Sequence, residues 1–183
     1  FIAWDQGRVM RAQQHGAVYP VIQIDGFVST SVDTASMGIR VSNSGVGPAL
    51  IEQVRRLRNG EPVASLNLYV DRFPSGYDLS WTSLIGRAIA PGSNVEPLRV
   101  DWSRDDISGD QLDAVAAEWS QLDAEICYCS VFDRCWITRG LGMGRTMGRA
   151  ERVKRCERSE VDLFEAVANA PRASGTETIS EVE

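Results

Sequence analysis

Four cysteines are the residues of this chain best suited to chemistry, and all of them, Cys127, Cys129, Cys135 and Cys156, lie in its last third. A thiolate is a nucleophile and a soft-metal ligand, whereas a bonded pair is a structural clamp, so spacing decides between the roles. Structural zinc favours two cysteines separated by two residues on a tight turn. Cys127 and Cys129 have one residue between them and fall on a predicted strand. Their side chains then share a face but stand roughly 6.5 Å apart along the backbone, which makes a poor chelate. An even count grouped around one hairpin suits at least one disulfide, and with it an oxidising compartment. Cys135 with Cys156 is the preferred pair, placed on neighbouring strands joined by the loop Gly140 to Gly148. Cys127 or Cys129 with Cys156 is the competing pair, and four buried thiols packing as small hydrophobes is the plain alternative.

Other reactive constellations are missing. His15 is the single histidine, set in a polar N-terminal segment far in sequence from any serine or cysteine in a tight turn. No G-x-S-x-G elbow is present, so a hydrolase triad has no footing. The glycines of Gly140-Leu141-Gly142-Met143-Gly144-Arg145-Thr146-Met147-Gly148 lack the spacing of a phosphate-binding loop and read as a hairpin tip. Asp101, Asp105, Asp106, Asp110 and Asp113 lack the alternate-position pattern and central glycine of a calcium loop. Asp110 and Asp113 instead suit the positive end of a helix. No catalytic residue, metal ligand or cofactor is expected.

One charge asymmetry stands out. Arg134, Arg139, Arg145, Arg149, Arg152, Arg155 and Arg158, with Lys154, follow one another against only Glu151 and Glu157. Such a run faces an anionic surface, an acidic protein patch, or nothing beyond solvent. Arg134, Arg145, Arg149, Arg152 and Arg155 are the candidate binding residues. With a net charge of -6 over the whole chain, nucleic acid is not an expected partner.

These residues need a scaffold. Met37, Ile39 and Val41 alternate into the turn Ser42-Asn43-Ser44-Gly45-Val46-Gly47-Pro48-Ala49, which a second apolar run follows. Strands are predicted over Val18 to Ile24, Ser36 to Asn43, Leu50 to Leu57, Ser83 to Ala90 and Val95 to Trp102. A hairpin is predicted from Glu125 to Val131 and Cys135 to Arg139, with a last strand over Arg149 to Cys156. Helices are predicted over residues 5–16, within Pro62 to Phe73, and over Ser108 to Leu122, whose stripe of Leu112, Val115, Ala116, Trp119 and Leu122 seeks a sheet. Helices that do not alternate with strands argue against a parallel α/β sheet. The expected fold is mainly β: an immunoglobulin-like antiparallel β-sandwich with two inserted short helices and an N-terminal helix. It divides into a juxtamembrane helix (1–16), the β-sandwich (17–158) and a flexible tail (159–183).

No apolar run here is long enough to cross a bilayer. Phe1-Ile2-Ala3-Trp4 ahead of an Arg- and Gln-rich helix nevertheless suits the end of an apolar anchor, with Trp4 at the interface. At Ser42 to Ala49, Ala90-Pro91-Gly92 and Cys127-Tyr128-Cys129-Ser130-Val131-Phe132-Asp133-Arg134-Cys135-Trp136, the chain resembles a group of uncharacterised bacterial membrane-anchored proteins. These carry a short N-terminal anchor, a polar helix and an immunoglobulin-like β domain with a similar turn and hairpin. The resemblance spans Gln6 to Trp136 and brings no catalytic residues. It implies a periplasmic domain held at the bacterial inner membrane; a cytoplasmic protein is the alternative. The expected function is a non-enzymatic binding or assembly module. Its partner would be a membrane or envelope protein or an anionic surface. The alternative is a metal-binding or metal-dependent protein built on the cysteine cluster.

Overall fold

The computed structural model of the chain describes residues 2–63, 65–141, 145–146 and 149–164. Its first element is helix α1 (Ile2–Gly16), which feeds β1 (Ile22–Thr30), β2 (Thr34–Asn43) and β3 (Ala49–Arg58). After β4 (Glu61–Pro62), helix α2 (Asn67–Val70) and the strands β5 (Tyr77–Trp81), β6 (Ala88–Ile89) and β7 (Asn94–Ser103) follow. Helix α3 (Gly109–Trp119) leads into β8 (Leu122–Cys129), β9 (Cys135–Leu141), β10 (Arg145–Thr146) and β11 (Glu151–Val153).

The fold is mainly β, as expected, and every strand pairing is antiparallel. One sheet runs β1-β2-β7-β5, and the other, curled, runs β10-β9-β8-β3-β4 with β11 on β9 and β6 on β3. Period-two alternation explains the core between them. Met37, Ile39 and Val41 of β2 and Leu98, Val100 and Trp102 of β7 face Ile51 and Val54 of β3 and Ala124, Ile126 and Tyr128 of β8, all in one buried cluster.

Several expected elements change. The first strand begins at Ile22, beyond Pro20, and continues to Thr30 through Asp25-Gly26-Phe27-Val28-Ser29-Thr30, which no apolar alternation marks. Only Ala88–Ile89 of the span Ser83 to Ala90 is strand. β5 went unpredicted, being a short edge strand of which no residue is fully buried; its Tyr77, Leu79 and Trp81 are set opposite Trp102, Val100 and Leu98. The second helix shrinks to four residues. Phe73 precedes Pro74, which disfavours helical backbone there, yet Leu66, Tyr69, Val70 and Phe73 are all buried as their spacing implied. Ser108 caps α3 through a reciprocal box with Gln111, and the helix buries Leu112, Val115 and Trp119. Leu122 belongs to β8 instead. Trp119 stacks on Phe73 at 5.5 Å and meets the sheet through Arg56 of β3, whose guanidinium is 5.7 Å from its ring. Burial lowers the Arg56 pKa to about 10, against the opposing pull of Asp123.

Of the tail expected to be flexible (159–183), the structure describes only the first six residues, and these are anchored. The Asp162 carboxylate accepts from Ser83 Oγ at 2.8 Å, Leu84 N at 2.7 Å, Ile85 N at 2.9 Å and Phe164 N at 2.9 Å. Leu163 and Phe164 then enter the core. Residues 160–164 thus form a strap, and the rest of the expected tail, 165–183, lies outside the described residues.

Candidate functional site

At one end of the molecule the β8–β9 hairpin turns through Ser130 to Arg134. Ser130 N donates to Arg134 O at 2.8 Å and Asp133 N to Ser130 O at 3.1 Å. Asp133 adopts φ 55°, a left-handed conformation that aspartate tolerates better than most residues. Cys129 and Cys135 stand directly opposite in register and are bonded to each other, with Cα atoms 4.0 Å apart. The second disulfide joins Cys127 to Cys156, with Cα atoms 5.7 Å apart. The preferred pair Cys135–Cys156 therefore does not form, whereas its competitor Cys127–Cys156 does. The reason is local: within the hairpin Cys135 meets Cys129 across the ladder, and Cys156, arriving beyond β11, reaches the remaining thiol.

The two bonds form one cluster. Cys129 Sγ lies 3.7 Å from Cys156 Sγ, and the sulfurs of Cys129, Cys135 and Cys156 all lie within 4.8 Å of one another. All four sulfurs are in disulfides, so none is the thiolate that a nucleophile or zinc ligand requires. The cysteines project from the face of β8 opposite Ile126 and Tyr128. On the inner face Tyr128 stacks on Trp136 at 5.9 Å, and Trp136 meets the edge of Tyr19 at 5.0 Å. The Tyr128 hydroxyl accepts from Ile22 N at 3.4 Å, and burial raises its pKa to about 12.

Asn43 organises the loops beside this hairpin, and sequence reasoning saw only the turn that contains it. The side chain is 1% exposed. Its Oδ1 accepts from Val21 N at 3.1 Å and Gly45 N at 3.0 Å, and its Nδ2 donates to Gly47 O at 2.8 Å and Ile89 O at 2.9 Å. Glycine is required at 45 and 47, where an added Cβ would fall 2.3 Å from the backbone oxygens of Tyr19 and Val18. An asparagine leading a Gly-x-Gly-Pro turn is the signal from which that hub could have been read.

The basic run divides in two. Arg139 pairs with Glu125 at 2.7 Å and Arg158 with Glu52 at 3.0 Å, so both are neutralised. In the other sheet Arg40 and Arg99 are likewise taken up by Glu96 and Asp101. Arg134, Arg149, Arg152, Lys154 and Arg155 enter none of the ion pairs among the described residues. β11 sets Arg152 opposite Trp136 and Val153 opposite Cys135, which carries Lys154 and Arg155 toward the hairpin turn that holds Arg134. Arg149 is exposed and lines a cleft of about 360 Å³ with Tyr19, Val21, Gln23, Thr138 and Ala150. Arg145 is set on β10 opposite Leu141, and its side chain lies outside the described residues. So do the side chain of His15, the side chain of Trp4 and most of the glycine loop.

This end also exposes apolar residues that sequence patterning did not single out: Val46 at 65%, Val131 at 49% and Phe132 at 47%. No helix among the described residues is long and apolar enough to cross a membrane. Comparison with family models, with curated proteins and with solved structures finds no match.

Proposed function

We propose that this protein is a non-enzymatic binding or assembly module, immunoglobulin-like in its β domain. In this reading an anchor ahead of α1 holds it on the outer face of a bacterial inner membrane. The observation that carries the reading is a cluster of uncompensated cations: among the described residues Arg134, Arg149, Arg152, Lys154 and Arg155 enter no ion pair, whereas Arg40, Arg99, Arg139 and Arg158 do. A cation without an internal partner keeps its long-range field for an external one. Two disulfides are compatible with an oxidising compartment. Two antiparallel sheets around one core support the immunoglobulin-like description.

Retention of the protein on immobilised polyglutamate tests the basic face. The wild type should be retained at low salt, and Arg152→Glu with Arg155→Glu should abolish retention. Equal retention of the double variant would remove the basis for the proposal. A second reading rests on the sulfur cluster: once reduced, its thiolates would suit a soft divalent ion. Elemental analysis with free-thiol titration separates the two. Bound zinc and free thiols favour the metal protein, and two intact disulfides without metal favour the binding module.

A further inference from the structure

We infer that the disulfide-clamped end of the molecule is a docking tip for an anionic lipid bilayer, with Val131, Phe132 and Val46 entering the interface and Arg134, Lys154 and Arg155 meeting the headgroups. The inference rests on the membrane-tethered reading above and specifies its partner. Three independent placements lead to it. First, the hairpin turn is closed at its base by Cys129–Cys135 and internally by Ser130, which fixes the backbone that presents the half-exposed Val131 and Phe132. Second, pairing of Leu50 with Cys129 puts the Val46 turn at the same end as the hairpin turn. Third, Val46 N donates to Tyr19 O at 2.9 Å, so the segment that leaves α1 passes beneath this same turn. The helix expected next to a membrane therefore enters the domain at the end that carries the apolar tip.

The chemistry favours a bilayer over a protein. A stable protein interface needs on the order of 800 Å² from each partner, with a packed centre. Three side chains on two convex turns offer far less, but small apolar loops flanked by cations suit the boundary between headgroups and acyl chains. Asp133 is the one acidic residue of the turn itself, and Arg134 beside it offsets its charge. Glu151 stands farther back, opposite Ile137, and Glu157 is drawn to Arg55 at 3.5 Å. The balance at the tip is cationic although the whole chain carries -6. Because the Debye length is about 8 Å at physiological salt, the attraction acts only once the tip is close to the surface. The apolar residues then supply the part of binding that salt does not weaken.

The test uses the full chain with vesicles of phosphatidylcholine, alone or mixed with phosphatidylglycerol. Co-sedimentation should be strong only with the anionic vesicles. Val131→Ser with Phe132→Ser should weaken it about tenfold at physiological salt while leaving polyglutamate retention unchanged. Lys154→Glu with Arg155→Glu should remove it at low salt as well. A Phe132→Trp variant gives a direct readout: its added emission should shift to the blue on anionic vesicles and be quenched by lipids brominated near the headgroup. Unaltered binding of the serine variant, or unquenched emission, would overturn bilayer docking. Retention on polyglutamate without vesicle binding would also overturn it, leaving an acidic protein as the partner of the basic face. Loss of both would remove the binding-module reading as well.

Discussion

Asn43 ties three loops together with one amide, each hydrogen-bonding position of which is matched to a backbone group. Removing it leaves two buried carbonyls and two amide groups without that partner. Asn43→Ala should therefore cost about 3 kcal/mol. Asn43→Asp should cost more, since it sets an acceptor against the Gly47 and Ile89 oxygens; urea unfolding at neutral pH orders the three proteins. Tyr128 supplies the pH dependence. An unfolded tyrosine ionises near 10, but the buried one keeps its proton until about 12, so the unfolded state sheds the proton first and stability falls as pH rises through that window. Arg56 acts with the opposite sign there, because its folded pKa, about 10, lies below its unfolded value of 12.5. The difference between proteins isolates the tyrosine. Tyr128→Phe should cost about 1 kcal/mol at neutral pH by stranding Ile22 N, and should be less sensitive than the wild type to a pH rise from 10 to 12. Parallel curves would show that the hydroxyl contributes nothing on ionisation.

Elements differ in how much their stability depends on the disulfides. Cys127–Cys156 closes a separation of 29 residues and Cys129–Cys135 one of 6. Loop-closure entropy makes the first worth roughly 3.6 kcal/mol and the second about 2.2 kcal/mol. Paired Cys→Ser variants should rank in that order in denaturant midpoint, and the reverse order would mean that the hairpin clamp, not the crossing to β11, limits unfolding. The hairpin itself was legible because an apolar alternation brackets Phe132-Asp133-Arg134 and the cysteines frame it. The pairing was not, since sequence distance favours neither partner of Cys129 until the register of β8 against β9 is known. β2, β7 and α3 were legible from period and capping, whereas β5 and the second half of β1 are held by neighbours rather than by their own pattern. The basic run was visible as a run. Which of its members stay unpaired depended on Glu52 and Glu125, distant in sequence and adjacent only after folding.

Across the whole molecule, the two sheets, both inserted helices and the strap contribute to one buried cluster. Trp102 of β7 is 1% exposed and Trp136 of β9 is 6% exposed, so each sheet has its own buried optical reporter in that cluster. A shared core means that neither sheet can lose its partner and keep its apolar face covered. Phe164 strengthens the coupling, because the strap reaches the core only after passing the Cys127–Cys156 bond and the Asp162 anchor. With both disulfides intact, thermal unfolding should be one transition, with the same midpoint by far-UV circular dichroism and by tryptophan emission. Trp102→Phe and Trp136→Phe each remove the buried indole of one sheet, so subtraction from the wild type gives that reporter's signal, and each should lower the midpoint without separating the two probes. An early transition confined to the Trp136 signal would instead mark the docking end as a unit that opens on its own. The tip would then be preorganised only by its local clamp, and reducing agent should abolish vesicle binding before it unfolds β2 and β7.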